Sequence, residues 1–410
     1  MIKRITLAVL IIVMLSSLFP FRAEAATSGV VDYDDVTVTK IMNNTSVNDL
    51  KAKGAILIDA NTGMVLQEKN CHDELPLASV TKVMSMLLIM EALDTGRLTF
   101  DTKVTISEHS YSMGGSQVWL EPGEVFTVDE LLKAVAIHSA NDATVALAEA
   151  VAGSEDAFVG MMNDKANELG MKNTKFLDCT GLTDVGHYSS AYDVALMSRE
   201  LLLKYPSITK YTRTWQDKFR VNVPGKKPVS LDNTNKLIHY YQGCVGLKTG
   251  FTSVAGHCLS ASAIRNGQQL ISVVLGEPDS NTRFAESRKL LDYGFANFET
   301  VVVNTKGEII DSVQVKKGMQ EKVDIAYKDD VKLLLKKGEK GKIERTVKIK
   351  SELIAPVKAG TKVGEVIYTI DGNEAGIADV VAMDSVKRAT FIKIFASMLV
   401  RWFGLGRAYA

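Results

Sequence analysis

The chain has 410 residues, 46% of them hydrophobic and 23% charged, an ordinary globular composition with length for two or three domains. Its 48 basic side chains equal its 48 acidic ones, so no basic face is on offer to a nucleic-acid partner. Neither Cys-x-x-Cys nor His-Glu-x-x-His occurs, which argues against zinc, and no cofactor or other metal is expected.

Lys3 and Arg4 precede the apolar run "ITLAVLIIVMLSSLF", and Ala23 and Ala25 form an Ala-x-Ala cleavage site. Residues 1–25 therefore read as a secretory signal peptide cut before Ala26, and the protein is expected outside the cytoplasm. The alternative, a retained anchor, meets an apolar stretch shorter than the ~20 residues of a spanning helix. Residues 26–50 are a polar leader. Cys71, Cys179, Cys244 and Cys258 could pair in an exported protein, and their three possible connectivities stay open.

From Gly54 the pattern becomes dense. "GAILIDANTGMVLQEKN" predicts two short strands joined at Asn61-Thr62-Gly63. A helix from Ser79 to about Leu93 is apolar nearly all round, hence central rather than superficial. Further helices are predicted over 128–151, 155–170 and near 191–204. "GCVGLKTGF" and "HCLSASAIRNGQQLISVVLG" then alternate and read as strands around a turn, and "TRFAESRKLLDYGFANFE" closes as a helix. Strands bracketed by long helices make an α/β domain over about 51–297. Beyond it helical periodicity gives way to alternation with glycine turns, an antiparallel β domain over 298–385. In the last segment, 386–410, Phe391, Ile394, Phe395, Met398, Leu399, Trp402 and Leu405 share one helical face. Lys393 and Arg401 lie on the other, with Lys387 and Arg388 upstream. Fifteen helical residues span about 22 Å, too short to cross a bilayer, so this helix is expected to lie flat on a membrane surface. The alternative is a terminal helix docked on the protein's own core.

Ser79 and Lys82 stand at the mouth of the central helix in "ASVTK". A helix N-cap explains the serine alone, and a second Ser-x-x-Lys, Ser207 to Lys210, has no sequel. The first is followed in order by Ser139-Ala140-Asn141 and by Lys248-Thr249-Gly250 on a strand, the trio of penicillin-binding proteins and class A β-lactamases. The chemistry agrees with the spacing. A serine at a helix start presents its hydroxyl and an unpaired N–H. A lysine at i+3 lies on the same face and acts as a base if burial and a second cation, for which Lys248 is placed, keep it neutral. A Lys-Thr-Gly edge strand suits an extended peptide bound by β-addition, and the N–H of Phe251 would complete an oxyanion hole.

With "ASVTK", "SAND", "YSSAYD", "GLKTGFT" and "RFAESRKLLDYGF" in order, the whole chain resembles the low-molecular-weight penicillin-binding proteins that are D-alanyl-D-alanine carboxypeptidases. The resemblance implies a serine β-lactamase/penicillin-binding-protein-like transpeptidase fold, an antiparallel sheet with helices on both faces. A small antiparallel β domain and an amphipathic helix then follow. It implies removal of the terminal D-alanine from peptidoglycan pentapeptide stems through an acyl-serine, with β-lactam antibiotics acylating the same residue. By the same resemblance Ser79 is the nucleophile, Lys82 its base, Ser139 the proton relay and Asn141 a contact to the substrate amide. Lys248, Thr249 and Gly250 form the binding strand, and Arg283 helps hold the substrate's terminal carboxylate. The enzyme is expected on the outer face of the cytoplasmic membrane. A β-lactamase shares the trio but needs a glutamate to position water, and "KNTKFLDCTGLTDVGHYSS" contains none. A non-catalytic wall-binding scaffold would not label with penicillin. A lipase-like elbow, Gly-x-Ser-x-Gly, is absent.

Overall fold

The computed structural model describes residues 25–30, 49–183, 185–221, 225–338, 342–393 and 395. The signal peptide up to residue 24, most of the leader, and residues 394 and 396–410 of the amphipathic segment lie outside these. The chain forms two units. One lies within residues 38–300 and includes 334–339. The other comprises residues within 1–37, 301–333 and 340–410.

The first unit is built on a five-stranded sheet. Its strands are β1 (Gly54–Asp59), β2 (Val65–Lys69), β3 (Cys244–Thr252), β4 (Gly256–Arg265) and β5 (Gln268–Glu277). They lie in the order β2-β1-β5-β4-β3, antiparallel throughout, which leaves β3 at an edge. The β1–β2 turn forms where predicted. Asp59 Oδ1 accepts from Thr62 N and Thr62 Oγ1, both at 2.8 Å, and Gly63 takes φ +76°.

Every residue of β1 is buried, because both faces of the sheet are covered. Side chains alternate across a strand, so Ile56 and Ile58 enter one core while Ala55 and Leu57 enter the other. The first core is made with α1 (Lys82–Asp94), α2 (Asn141–Ala152), α3 (Glu155–Glu168) and α4 (Ala191–Lys204). The second is made with α5 (Ser280–Asn297) through Leu290, Leu291 and Phe295. Helix α1 is buried on almost all sides, as its composition predicts.

The expected single helix over 128–151 is a finding of a different kind. Val128–Lys133 is helical, started by a capping box of Thr127 and Glu130. It widens into a π turn over Ala134–His138, Ser139 takes φ +65°, and α2 restarts at Asn141. Tertiary bonds decide this. Asn141 N donates to Ser116 O at 2.7 Å, and the Asp142 carboxylate accepts from Val118 N and Leu120 N at 3.1 Å each. A neighbouring loop thus captures the helix start, and apolar periodicity carries no record of it.

In the second unit the strands Ala25–Val30, Ile343–Ile349, Lys362–Ile370, Asn373–Ala382, Lys322–Tyr327, Ile309–Lys316 and Glu352–Ile354 lie in that order in one sheet. All pairs are antiparallel except the last, where Glu352–Ile354 runs parallel to Ile309–Lys316. Tyr368 sits in its core with its hydroxyl 2.7 Å from that of Tyr327. Among the described residues no helix is long and apolar enough to cross a membrane.

Candidate active site

Ser79 does not cap α1. It lies in a 3-10 turn, Ala78–Thr81, that feeds the helix, and Lys82 is the first residue of α1. The tighter turn still stacks i over i+3, and Lys82 Nζ donates to Ser79 Oγ at 2.9 Å. The amine is wholly buried and donates also to the carbonyl oxygen of Thr180 at 2.8 Å. Burial pulls its pKa down to about 8, against the opposing pull of the Asp178 and Asp142 carboxylates. A lysine so placed loses its proton far more readily than one in water. It is poised to accept the serine's proton.

Lys248 is also fully buried, on β3, where its Nζ donates to Thr249 O at 2.8 Å. Burial, then the charges of Lys82 and Arg283, hold it well below the ordinary lysine value. Burial is the main cause of the lowered Lys82 value, and Lys248 is itself held low by burial first and then by the neighbouring positive charges.

Gly250 is pressed against the serine turn. A Cβ there would stand 2.6 Å from Leu77 O and 3.0 Å from both Ser79 N and Val80 N. Thr249, buried on β3, donates to Thr234 Oγ1 at 2.6 Å. Phe251 projects into solvent and stacks on His257 across the hairpin, with ring centroids 4.4 Å apart. Arg283 leaves the first turn of α5 and lies buried behind the hairpin, its Nη1 donating to Gly250 O at 3.1 Å and to Cys258 O at 3.3 Å. Burial brings its pKa to about 10.

Ser139 is held buried in the left-handed region, and its Oγ has no partner among the described residues. A non-glycine residue there is strained, and strain of this kind collects where a side chain must be aimed. Asn141 Nδ2 donates to Gly114 O at 2.7 Å, while its Oδ1 is buried without a partner. Two acceptors and a donor are therefore left open on the motif "SAN", as a substrate amide and a moving proton require.

Sequence reasoning missed the loop that holds Lys82 in place. Gly181 at φ +81° runs so close to the serine turn that a Cβ would fall 1.9 Å from Ala78 O. The Asp178 carboxylate ties the loop up, accepting from Thr180 N at 2.6 Å, Thr180 Oγ1 at 2.9 Å and Thr183 N at 2.8 Å. Burial works against its charge, but His187, 3.7 Å away, and these donors hold it at about 2. His187 Nε2 in turn lies 2.8 Å from Thr81 Oγ1. Only the glycine in "CTGLTD" hints at this in the sequence. The four cysteines are buried free thiols and take no part in the hydrogen bonding of Ser79.

Residues 41–279 match the family described as D-alanyl-D-alanine carboxypeptidase, and residues 298–388 match the penicillin-binding protein 5 C-terminal domain. The chain is 45% identical over 353 residues to the D-alanyl-D-alanine carboxypeptidase DacF of Bacillus subtilis, covering 86% of this chain and 90% of that one. It is 33% identical over 382 residues to DacA of Escherichia coli, covering 90% and 93%. Penicillin-binding protein 5 from Haemophilus influenzae superposes with a TM-score of 0.70 at 32% identity, covering 84% of this chain and all of that one. With a buried lysine bonded to a half-buried serine and the edge strand β3 pressed against the serine turn, the chain belongs to the low-molecular-weight penicillin-binding proteins and is a serine-type D-alanyl-D-alanine carboxypeptidase.

Proposed function

We propose that Ser79 is the acylated nucleophile and Lys82 its general base. The bond from Lys82 Nζ to Ser79 Oγ, with burial lowering the amine's pKa, is the observation that carries the assignment. Neutral Lys82 takes the Ser79 proton as Oγ attacks the penultimate D-alanine carbonyl. The oxyanion is met by the N–H groups of Ser79 and Phe251. The C–N bond breaks, D-alanine leaves with a proton relayed through Ser139, and water then hydrolyses the ester with Lys82 again as base. Asn141 reads the substrate amide. Lys248, Thr249 and Gly250 bind the peptide end as an added strand. Arg283 braces the Gly250 carbonyl and lends positive charge to the side where the substrate's carboxylate lies. A β-lactam enters the same route and stalls as the acyl-enzyme.

We assign residues 51–297 to catalysis and 298–385 to a β-rich domain. Residues 1–25 direct export, and 386–410 bind the outer surface of the cytoplasmic membrane as an amphipathic helix. Exposure of Phe391, Ile392 and Phe395 supports the last assignment. The substrate is the pentapeptide stem of peptidoglycan. Fluorescent penicillin and release of D-alanine from a pentapeptide test the site together. Ser79→Ala is expected to lose both and keep its fold, and Ser207→Ala to keep both. Labelling of the Ser79→Ala protein would overturn the assignment.

A further inference from the structure

The C-terminal segment leaves the β-rich unit at one particular place. Met319 N donates to Lys387 O at 2.8 Å, Ala389 N donates to Lys317 O at 2.7 Å, and Gly318 bridges Arg388. Residues 387–389 are therefore stitched to the turn after the strand Ile309–Lys316, and Lys393 Nζ reaches Met319 O. Ile354 lies beside Lys316 in the parallel pair. Met319 is 45% exposed and Ile354 64% exposed, at the root of the segment whose Phe391 and Ile392 are also bare.

Single exposed apolar side chains need no explanation. Here two crown adjoining tips, and cations surround them. Lys316 is paired with Glu352 at 2.5 Å, while exposed Lys317, Lys387 and Arg388 have no acidic partner among the described residues. The turn is also stiff. Lys317 takes φ +57°, and a Cβ on Gly318 would meet Gln320 O at 2.6 Å and the Val386 side chain at 2.8 Å.

We propose that the turn Lys316–Gln320 and Ile354 form a second lipid-contact surface, seating the β-rich unit on an anionic bilayer beside the amphipathic segment. This rests on reading residues 386–410 as a membrane anchor. Apolar tips ringed by cations fit the headgroup boundary, where small apolar groups insert and lysines meet anionic lipid. Two tips are too little surface for a stable protein partner, which needs about 1,000 Å². A helix alone would let the unit swivel about the chain near Thr390; a second contact fixes its tilt to the membrane.

The test uses the full mature chain with an environment-sensitive dye on one introduced cysteine, since the native thiols are buried. The positions are Met319→Cys on the turn, Phe395→Cys on the anchor, and Asn373→Cys at the far end of the hairpin Lys362–Ala382, about 30 Å along the strands. With phosphatidylcholine vesicles containing phosphatidylglycerol, emission is expected to shift to the blue at 319 and 395 but not at 373. The unlabelled double variant Met319→Asp/Ile354→Asp is expected to bind these vesicles about tenfold more weakly, with penicillin labelling unchanged. A shift at 395 without one at 319 overturns the second surface and leaves the anchor standing. No shift at either position overturns both. Blue emission at 319 before vesicles are added, unchanged by them, means the chain's own C-terminal residues cover the patch, and the proposal fails.

Discussion

Gly250 and Ser79 approach so closely that no side chain fits between them, for a Cβ on Gly250 would lie 3.0 Å from the Ser79 nitrogen. The obstructing atoms are backbone, including Leu77 O at 2.6 Å, so they cannot swing aside. Gly250→Ala is expected to push β3 off the serine turn and cut the penicillin acylation rate by about 100-fold or more, as misplacement of about an ångström does. Gly160→Ala, in α3 with nothing within 4 Å of the added carbon, is the control. It should label normally and gain about 0.5–1 kcal/mol from helix propensity.

The Lys82 assignment sets a pH profile. A base works when neutral, so the second-order rate of acylation by penicillin should rise tenfold per pH unit below about 8 and level off above it. Lys82→Arg, whose side chain keeps its proton, should remove activity at every pH. A rate that is flat from pH 6 to pH 9 would show that another group takes the proton.

Asp178 should matter although it touches no substrate. It orders the loop whose Thr180 carbonyl receives Lys82. Asp178→Asn keeps the shape but removes the charge, and acylation is expected to fall about tenfold, from loosened placement of the base. Stability should respond with the sign of a depressed carboxylate. The native pKa is about 2 against 3.8 for an ordinary aspartate, so the group stabilises the fold above about pH 4 and stops doing so as pH falls through 2. Thermal melts of both proteins across pH 2–6 check this: the gap between them should close at the acid end.

Arg283→Ala separates recognition from bracing. If the charge helps hold the substrate's terminal carboxylate, kcat/KM on a D-Ala-D-Ala peptide should fall about 10–100-fold, or about 1.4–2.8 kcal/mol. The fall should be smaller on the C-terminal amide and on penicillin, whose carboxylate Thr249 and Lys248 can also hold. Equal losses on all three would leave only the bonds to Gly250 and Cys258 as its contribution.

Glu277 at the end of β5 is a liability the fold carries. It is 1% exposed, with no donor to either oxygen among the described residues. Burial pushes its pKa to about 9, helped by Glu286, which accepts from Lys51 N at 2.8 Å, and by Asp279. The native state then holds a proton that the unfolded chain gives up above about 4.5, so this residue costs stability increasingly as pH rises from 4.5 towards 9. Glu277→Gln should match the wild type in Tm near pH 4 and exceed it by about 2–4 °C or more at pH 8, each kcal/mol being worth about that much.

The sequence was readable where chemistry or burial acts over a few residues. Ser79 and Lys82 lie one turn apart in either a 3-10 or an α geometry, so their bond follows from spacing alone. The full burial of β1 and the nearly full burial of α1 follow from runs with no continuous polar face. The β1–β2 turn follows from Asp59, Thr62 and Gly63. Ordered motifs and their resemblance to a family supplied the reaction.

What only the tertiary structure decided lies in contacts between segments far apart in the chain. The break at Ser139 depends on a loop some 20 residues earlier seizing Asn141 and Asp142, and periodicity within 128–151 cannot register that. The seat of Lys82 depends on Thr180 and Asp178, nearly a hundred residues away, where a single glycine permits the approach. The pKa of Lys82 itself is a tertiary quantity, since desolvation comes from everything packed around the amine rather than from the residues beside it. Arg283 shows the same division: its placement on α5 was legible, but its bonds to the carbonyls of Gly250 and Cys258 arise only when that helix packs behind the hairpin.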